Sequence, residues 1–295
     1  MAKIKDSTSY KVFKMFNYTF LILIAVACII PLINVLAISF SDKISIASGE
    51  VKLWPKGFNT VAYEYMLNNK AFWVSMGVSV KRIILGGIIN MIMCITVAYP
   101  LSKDSQVFRG RKFYAWYVIF TMLFSGGLIP GFLIVKYTGL MDTIWALVIP
   151  GAVPVFNVIL LLNFFRQLPK EIAESAYIDG AGEWTTLLKI YLPLSTAALA
   201  TIFLFTLVGH WNAWFDGIIF MNRTEHYPMQ SYMQTVIVSQ DFKVTSTQQA
   251  EVLQKLDNKA LTSAQIFIGM IPILCVYPFL QKYFTKGIVL GSVKG

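Results

Sequence analysis

Hydrophobic residues in this chain gather into long runs, with polar residues confined to the segments between them. Six runs reach the roughly 20 mostly apolar residues that a helix needs to cross a bilayer core. They are Tyr18 to Phe40, a second run ending near Pro100 whose purely apolar part starts at Ile83, Phe113 to Val135, Ile144 to Phe165, Leu194 to Met221, and Ala264 to Phe284. The expectation is an all-α, polytopic membrane protein with six transmembrane helices. The first run is too long for a secretory signal core and lacks a small-x-small cleavage pattern, so it is expected to remain as a span.

The connecting segments set the expected boundaries. Residues 1–17 form an N-terminal arm, 18–284 the transmembrane domain and 285–295 a tail. Within the domain, 166–193 is a polar loop and 222–263 a long external segment. Residues 41–71 make a second long external segment, and either of the two can fold as a short helix or stay mobile. No internal repeat and no insertion of soluble-domain size interrupts this pattern.

Composition agrees with the runs. Of 295 residues, 56% are hydrophobic and 14% charged, against roughly 25% charged in soluble domains. The net charge of +10 follows from loop retention on the cytoplasmic side. It is not read as nucleic-acid binding, because no basic-aromatic module or zinc-ligand spacing accompanies it. The N-terminal arm, the segment 103–112, the loop 166–193 and the C-terminal end hold fourteen Lys and Arg against six Asp and Glu, a balance of +8 that leaves +2 for the other side. Both termini and the 166–193 loop are therefore expected in the cytoplasm. Lys81 and Arg82 fall early in the second run and are expected to snorkel to the headgroups. Ser125-Gly126-Gly127 and Pro130 in the third run read as close packing and a kink. Cys28, Cys94 and Cys275 read as small buried hydrophobes, with no disulfide framework or metal site.

The polar loop carries the main chemistry. Ile172, Ala173, Ala176, Tyr177, Ala181, Trp184 and Leu188 recur at helical steps, interrupted at Gly180. Pro169 suits a first helical turn, and Glu171 and Glu174 suit a helix N-terminus. The pattern predicts two short helices meeting at a corner near Asp179-Gly180, with Pro193 opening the fifth run. An amphipathic helix lying on headgroups would show the same periodicity. However, the polar face carries Glu171, Glu174, Asp179 and Glu183, which favours a protein partner over anionic lipid.

Glu174-Ser175-Ala176, three residues, Gly180, nine residues and Ile190-Tyr191-Leu192-Pro193 resemble the EAA signature of ABC-importer permeases, with Ser175 in place of the first alanine. Flanking runs are similar to MalG-like carbohydrate permeases: Asn163 to Glu171, Ile178 to Trp184, and Val208-Gly209-His210-Trp211-Asn212. Phe124 to Pro130 and Tyr277 to Phe284 resemble the LplC/YtcP branch, which is associated with complex saccharides. The likeness covers about residues 70–295.

The resemblance implies a type I importer permease whose EAA coupling-helix loop docks a separate ATPase through Glu174, Ser175, Ala176, Tyr177, Asp179, Gly180 and Ala181. It also implies a second permease subunit forming a heterodimer, two copies of the ATP-binding subunit and an extracytoplasmic solute-binding protein. ATP and Mg would then sit on the ATPase, with no cofactor on this chain. The short tail resembles the branch's tail, and in maltose permeases a tail at this end reaches toward the ATPases.

His210, Trp211, Asn212, Trp214 and Asp216 fall in the outer half of the fifth run. Their aromatic and polar groups suit saccharide rings, although an aromatic belt with packing contacts would look the same. No P-loop and no G-x-S-x-G elbow occurs. His210 and His226 are the only histidines, and Asp216 is the only acid in an expected span, so the isolated chain reads as a transporter subunit and not an enzyme. A non-sugar ABC permease and an autonomous secondary transporter are the alternatives. The second would need inverted repeats or a charge relay, and neither is found.

Overall fold

The computed structural model describes residues 7–239 and 257–292. The start of the N-terminal arm (1–6), the middle of the long external segment (240–256) and the last three tail residues lie outside the described residues. The chain divides into two compact units, residues 1–69 with 241–270 and residues 70–240 with 271–295.

In the first unit, α1 (Thr8–Ser39) covers the first run and is capped by Ser7, whose Oγ accepts from Tyr10 N at 3.3 Å. Its large apolar side chains are exposed almost throughout, Phe16 at 70%, which is tenable for a helix in lipid and costly in water. The segment after it folds as short helices, α2 (Lys43–Ala47) and α3 (Val61–Leu67). Asp42 caps α2, and Phe40 stacks on Tyr63 with ring centroids 4.6 Å apart. Gly57 has φ +57, and a Cβ there would overlap the Asp42 carboxylate.

The second unit is built around α4 (Lys70–Ser102). Three further helices carry the third and fourth runs: α5 (Arg111–Leu123), α6 (Leu128–Tyr137) and α7 (Val155–Gln167). The loop itself forms α8 (Lys170–Ile178), α9 (Glu183–Thr186), a π turn at Leu187–Tyr191 and α10 (Leu192–Leu194). Beyond it lie α11 (Thr196–Asn212), α12 (Phe215–Phe220) and α13 (Met229–Ser239), with a 3-10 turn at Thr224–His226. Last comes α14 (Asn258–Ser292), whose residues up to Met270 belong to the first unit; it carries the sixth run and continues through most of the expected tail.

The core of this unit is apolar. Cys94, Ala98, Tyr99 and Leu101 of α4 pack with Val158, Leu161, Leu162 and Phe165 of α7 and with Ile202 of α11. In lipid the hydrophobic drive between helices is weak, so packing and hydrogen bonds hold them. Asn157 donates to Thr206 Oγ1 at 3.3 Å, and Asn90 donates to Gly151 O at 3.3 Å.

Several expectations need correction. The third run is two helices bent by 112°, broken over Phe124 to Gly127, where Gly127 adopts φ +90. Its Ser125-Gly126-Gly127 stretch is exposed and not closely packed. The fourth run yields one α-helix, the 13-residue α7 that runs two residues past it, about 20 Å of helix, because Pro150, Gly151 and Pro154 break its first half.

The fifth run begins at Thr196, after an 83° bend, and breaks at Ala213-Trp214. Pro193 sits in α10, before that bend, and does not open the span. By length and composition, three helices among the described residues can cross a membrane, or up to five if each bent pair is one span. Cys94 is buried as expected, but Cys28 and Cys275 are exposed on their helices.

Candidate functional site

The polar loop forms a helix, a corner and a second helix. At the end of α8, Asp179 is the cap and Gly180 follows with φ +81. Gly180 N donates to Tyr177 O at 3.0 Å and Ala181 N to Ala176 O at 2.9 Å. These are the two bonds of a Schellman ending, which requires a left-handed residue at the glycine position. Pro169 caps the start of α8, one position before its first helical residue.

The two faces of α8 differ. Ala173 and Ala176 are buried against the rest of the unit, while Glu174, Ser175, Asp179 and Gly180 are exposed and Ile178 is 86% exposed. Ala176, expected on the docking face, instead seats the helix on its own protein. Ala181 is half-buried. Trp184, at 68% exposure, is the other large side chain at the corner.

One residue that sequence reasoning missed as a site residue organises the inner side of this loop. Lys103, just past α4, donates to Tyr177 Oη at 2.8 Å and pairs with Glu183 at 3.5 Å. Its ammonium lies 4.3 Å from the centroid of the Tyr99 ring, 4.7 Å from Tyr191 and 5.4 Å from Tyr177. The Tyr99 hydroxyl donates to Glu183 Oε2 at 2.6 Å. Tyr99, Phe165 and Tyr191 meet edge to face. Lys103 thus joins α4 to α8, α9 and the π turn.

The electrostatics follow the geometry. Burial alone would raise the Glu183 pKa, but hydrogen bonds from Tyr99 and Tyr177 and the Lys103 charge outweigh it and lower it. Burial likewise works against the Lys103 charge, yet the hydrogen bond to Tyr177 and the neighbouring Tyr191 and Glu183 raise its pKa. At the edge, Lys170 pairs with Asp104 at 2.5 Å and holds that carboxyl below its ordinary range.

The second constellation lies at the break in the fifth run. Arg82 does not snorkel: its side chain is 3% exposed and forms a two-pronged pair with Asp216. Nη1 lies 3.1 Å from Asp216 Oδ1, and Nη2 donates to Oδ2. Nη1 also donates to Ala213 O at 3.3 Å, a carbonyl left at the end of α11. Arg82 Nε donates to His210 Nδ1 at 3.4 Å, which places the proton of a neutral imidazole on Nε2. Nε2 is buried and has no partner among the described residues. Gly86 makes room for this ring, because a Cβ there would lie 2.6 Å from Cε1 and 2.8 Å from Cδ2.

Of the five expected path residues, His210 and Trp211 are buried, Asn212 and Trp214 are exposed, and Asp216 is held by Arg82. The structure therefore brings His210 and Asp216 together through Arg82. The sequence carried half of this signal: Asp216, the one acid in an expected span, should find a cation, but Lys81 and Arg82 stand side by side in the second run and only the fold chooses Arg82.

A third cluster joins two loops. Asp142, at φ 59, accepts from Asn222 N at 3.0 Å and lies 2.8 Å from His226 Nδ1. No group of three or more His, Cys, Asp or Glu able to hold a metal ion occurs among the described residues.

The chain is similar to known proteins along most of its length. Residues 71–289 match the family described as "Binding-protein-dependent transport system inner membrane component". The chain is 40% identical over 287 residues to protein LplC of Bacillus subtilis (strain 168), covering 97% of this chain and 96% of that one. It is 38% identical over 290 residues to the polygalacturonan/rhamnogalacturonan transport system permease protein YtcP of the same strain, covering 97% and 99%. A crystal structure of a bacterial ABC transporter involved in import of the acidic polysaccharide alginate contains a chain that aligns with TM-score 0.85 and 32% identity, covering 96% of this chain and 100% of that one. The chain therefore belongs to the inner-membrane components of binding-protein-dependent transport systems: it is a membrane-embedded permease subunit of an ABC importer, which works with other importer components and is not itself an enzyme.

Proposed function

We propose that this permease carries oligosaccharides or polysaccharide fragments across the bacterial plasma membrane, with both termini in the cytoplasm. A separate ATPase, present in two copies, drives it; a second permease forms a heterodimer with it, and an extracytoplasmic binding protein delivers the solute. The observation that carries this reading is the glycine-ended corner of α8. Its inner face is seated on the subunit, and its outer face leaves Glu174, Ser175, Asp179 and Gly180 exposed. A rigid, acidic, small-residue protrusion fits a cationic groove on a protein partner. The similarity to a permease named for polygalacturonan/rhamnogalacturonan transport and to a chain of an ABC transporter involved in alginate import supports a saccharide as cargo.

Asn212 and Trp214, both exposed, are the candidate saccharide contacts, beside the Ala213 carbonyl and Asp216 that Arg82 holds, with buried His210 and Trp211 behind them. Stacking on one aromatic ring is worth about 1 kcal/mol, so alanine at Trp214 should slow uptake several-fold without abolishing it. The test is reconstitution of the complex in vesicles with its binding protein and labelled oligosaccharides. ATP-dependent saccharide accumulation is expected. ATP-driven uptake of a non-sugar solute that no saccharide competes against would refute the reading.

A further inference from the structure

We propose that α4 is the rod through which the ATPase-facing loop moves the break in the fifth run, with Lys103 and Arg82 as its two fasteners. This rests on reading the α8 corner as the ATPase-facing element. At one end, Lys103 touches α8 through Tyr177, α9 through Glu183 and the π turn through Tyr191. At the other end, Arg82 holds Asp216 of α12 and the terminal carbonyl of α11 at Ala213. Both are multi-point attachments, so neither end can shift alone without stripping a cation of several partners at once.

The shaft between them suits the task. From Arg82 to Ser102, α4 is an uninterrupted helix about 30 Å long, and its one proline, Pro100, lies in the final turn. Cys94 and Ala98 are fully buried along it, and close packing gives such an element little room to bend. The attachments also differ from ordinary packing in being directional. Arg82 holds both sides of the 213–214 break, Ala213 O at the end of α11 and Asp216 in α12. A displacement of α8 and α9 is thereby delivered to the Trp211 to Trp214 segment.

A purely structural role for Lys103 and Arg82 would change how much complex assembles. A transmission role would change how much solute moves for each ATP hydrolysed. The assembled transporter in proteoliposomes, with its binding protein, gives both numbers. Lys103→Met is expected to retain ATP hydrolysis while uptake per ATP falls about fivefold or more, the lower end of ordinary site-to-site coupling. Lys103→Arg should recover most of the loss. The neutral pair Arg82→Gln/Asp216→Asn, which leaves no buried unpaired charge, should lower the same ratio from the far end of the rod.

Thr96→Val, on the exposed face of α4, should leave the ratio unchanged. A normal ratio in assembled Lys103→Met, or in the Arg82→Gln/Asp216→Asn pair, overturns the proposal. If Lys103→Met fails to assemble, the double variant decides alone. A wild-type complex whose hydrolysis no saccharide stimulates refutes the saccharide reading instead, and the ratio is then taken with the solute that does stimulate.

Discussion

The notch at Gly86 permits a quantitative test of how α4 and α11 are held together. Gly77 and Gly86 lie in the same helix and differ in surroundings: a Cβ at Gly77 meets nothing within 4 Å, whereas one at Gly86 would overlap the His210 ring. Glycine to alanine in a helix gains about 1 kcal/mol from propensity alone, so Gly77→Ala should stabilise the protein by that amount. At Gly86 the same gain is opposed by overpacking of about 1–3 kcal/mol. The ring is buried and held by Arg82, so it cannot swing aside freely, and losing that hydrogen bond adds about 1 kcal/mol.

The two variants should therefore differ by about 2–4 kcal/mol, with opposite signs relative to wild type. The assay is the apparent thermal midpoint of the detergent-solubilised complex, followed by size exclusion. Adding His210→Ala to Gly86→Ala should recover stability relative to the sum of the single changes, because the clash partner is removed. Equal midpoints for Gly77→Ala and Gly86→Ala would refute the close approach of the two helices at this point.

Three shorter predictions concern the loop and topology. Glu174→Lys should leave the permease amount unchanged, since Glu174 is exposed, but reduce ATPase co-purification; Gly180→Val should do the same while costing roughly 1–2 kcal/mol through the left-handed backbone alone. A cysteine placed at 108 should resist an impermeant external thiol reagent in cells and one at 48 should react, and labelling at 108 would overturn the orientation. The Glu183 carboxyl is depressed in the folded protein, so its contribution is present above the unfolded value and is lost as pH falls through the lower folded value. The complex should therefore lose thermal stability on acidification below about pH 4.5, and Glu183→Gln should flatten that dependence.

The chain alone determined the membrane class, the existence of the runs and the corner at Gly180. These rest on local properties: an apolar run must bury its backbone bonds in a helix in lipid, and a glycine after an amphipathic stretch ends it. The exposed half of the corner was also readable, because Glu174, Ser175 and Asp179 are polar at helical spacing. Ala176 was misplaced because a small apolar residue suits both a close partner contact and an internal seat, and only packing chooses between them.

The breaks were the least legible feature. Gly126-Gly127 and Pro150 to Pro154 signalled irregularity, but composition cannot tell a kink from a 112° turn. At Ala213-Trp214 no glycine or proline marks the break at all. There the tertiary structure decides: Arg82, reaching in from α4 at a sequence distance of more than a hundred residues, accepts the role of partner to the freed carbonyl and to Asp216. A buried cation in lipid must be paired, and only the folded arrangement of α4, α11 and α12 supplies the pair. The Lys103 cage has the same origin, since its three tyrosines come from separate elements that only the fold brings around one ammonium.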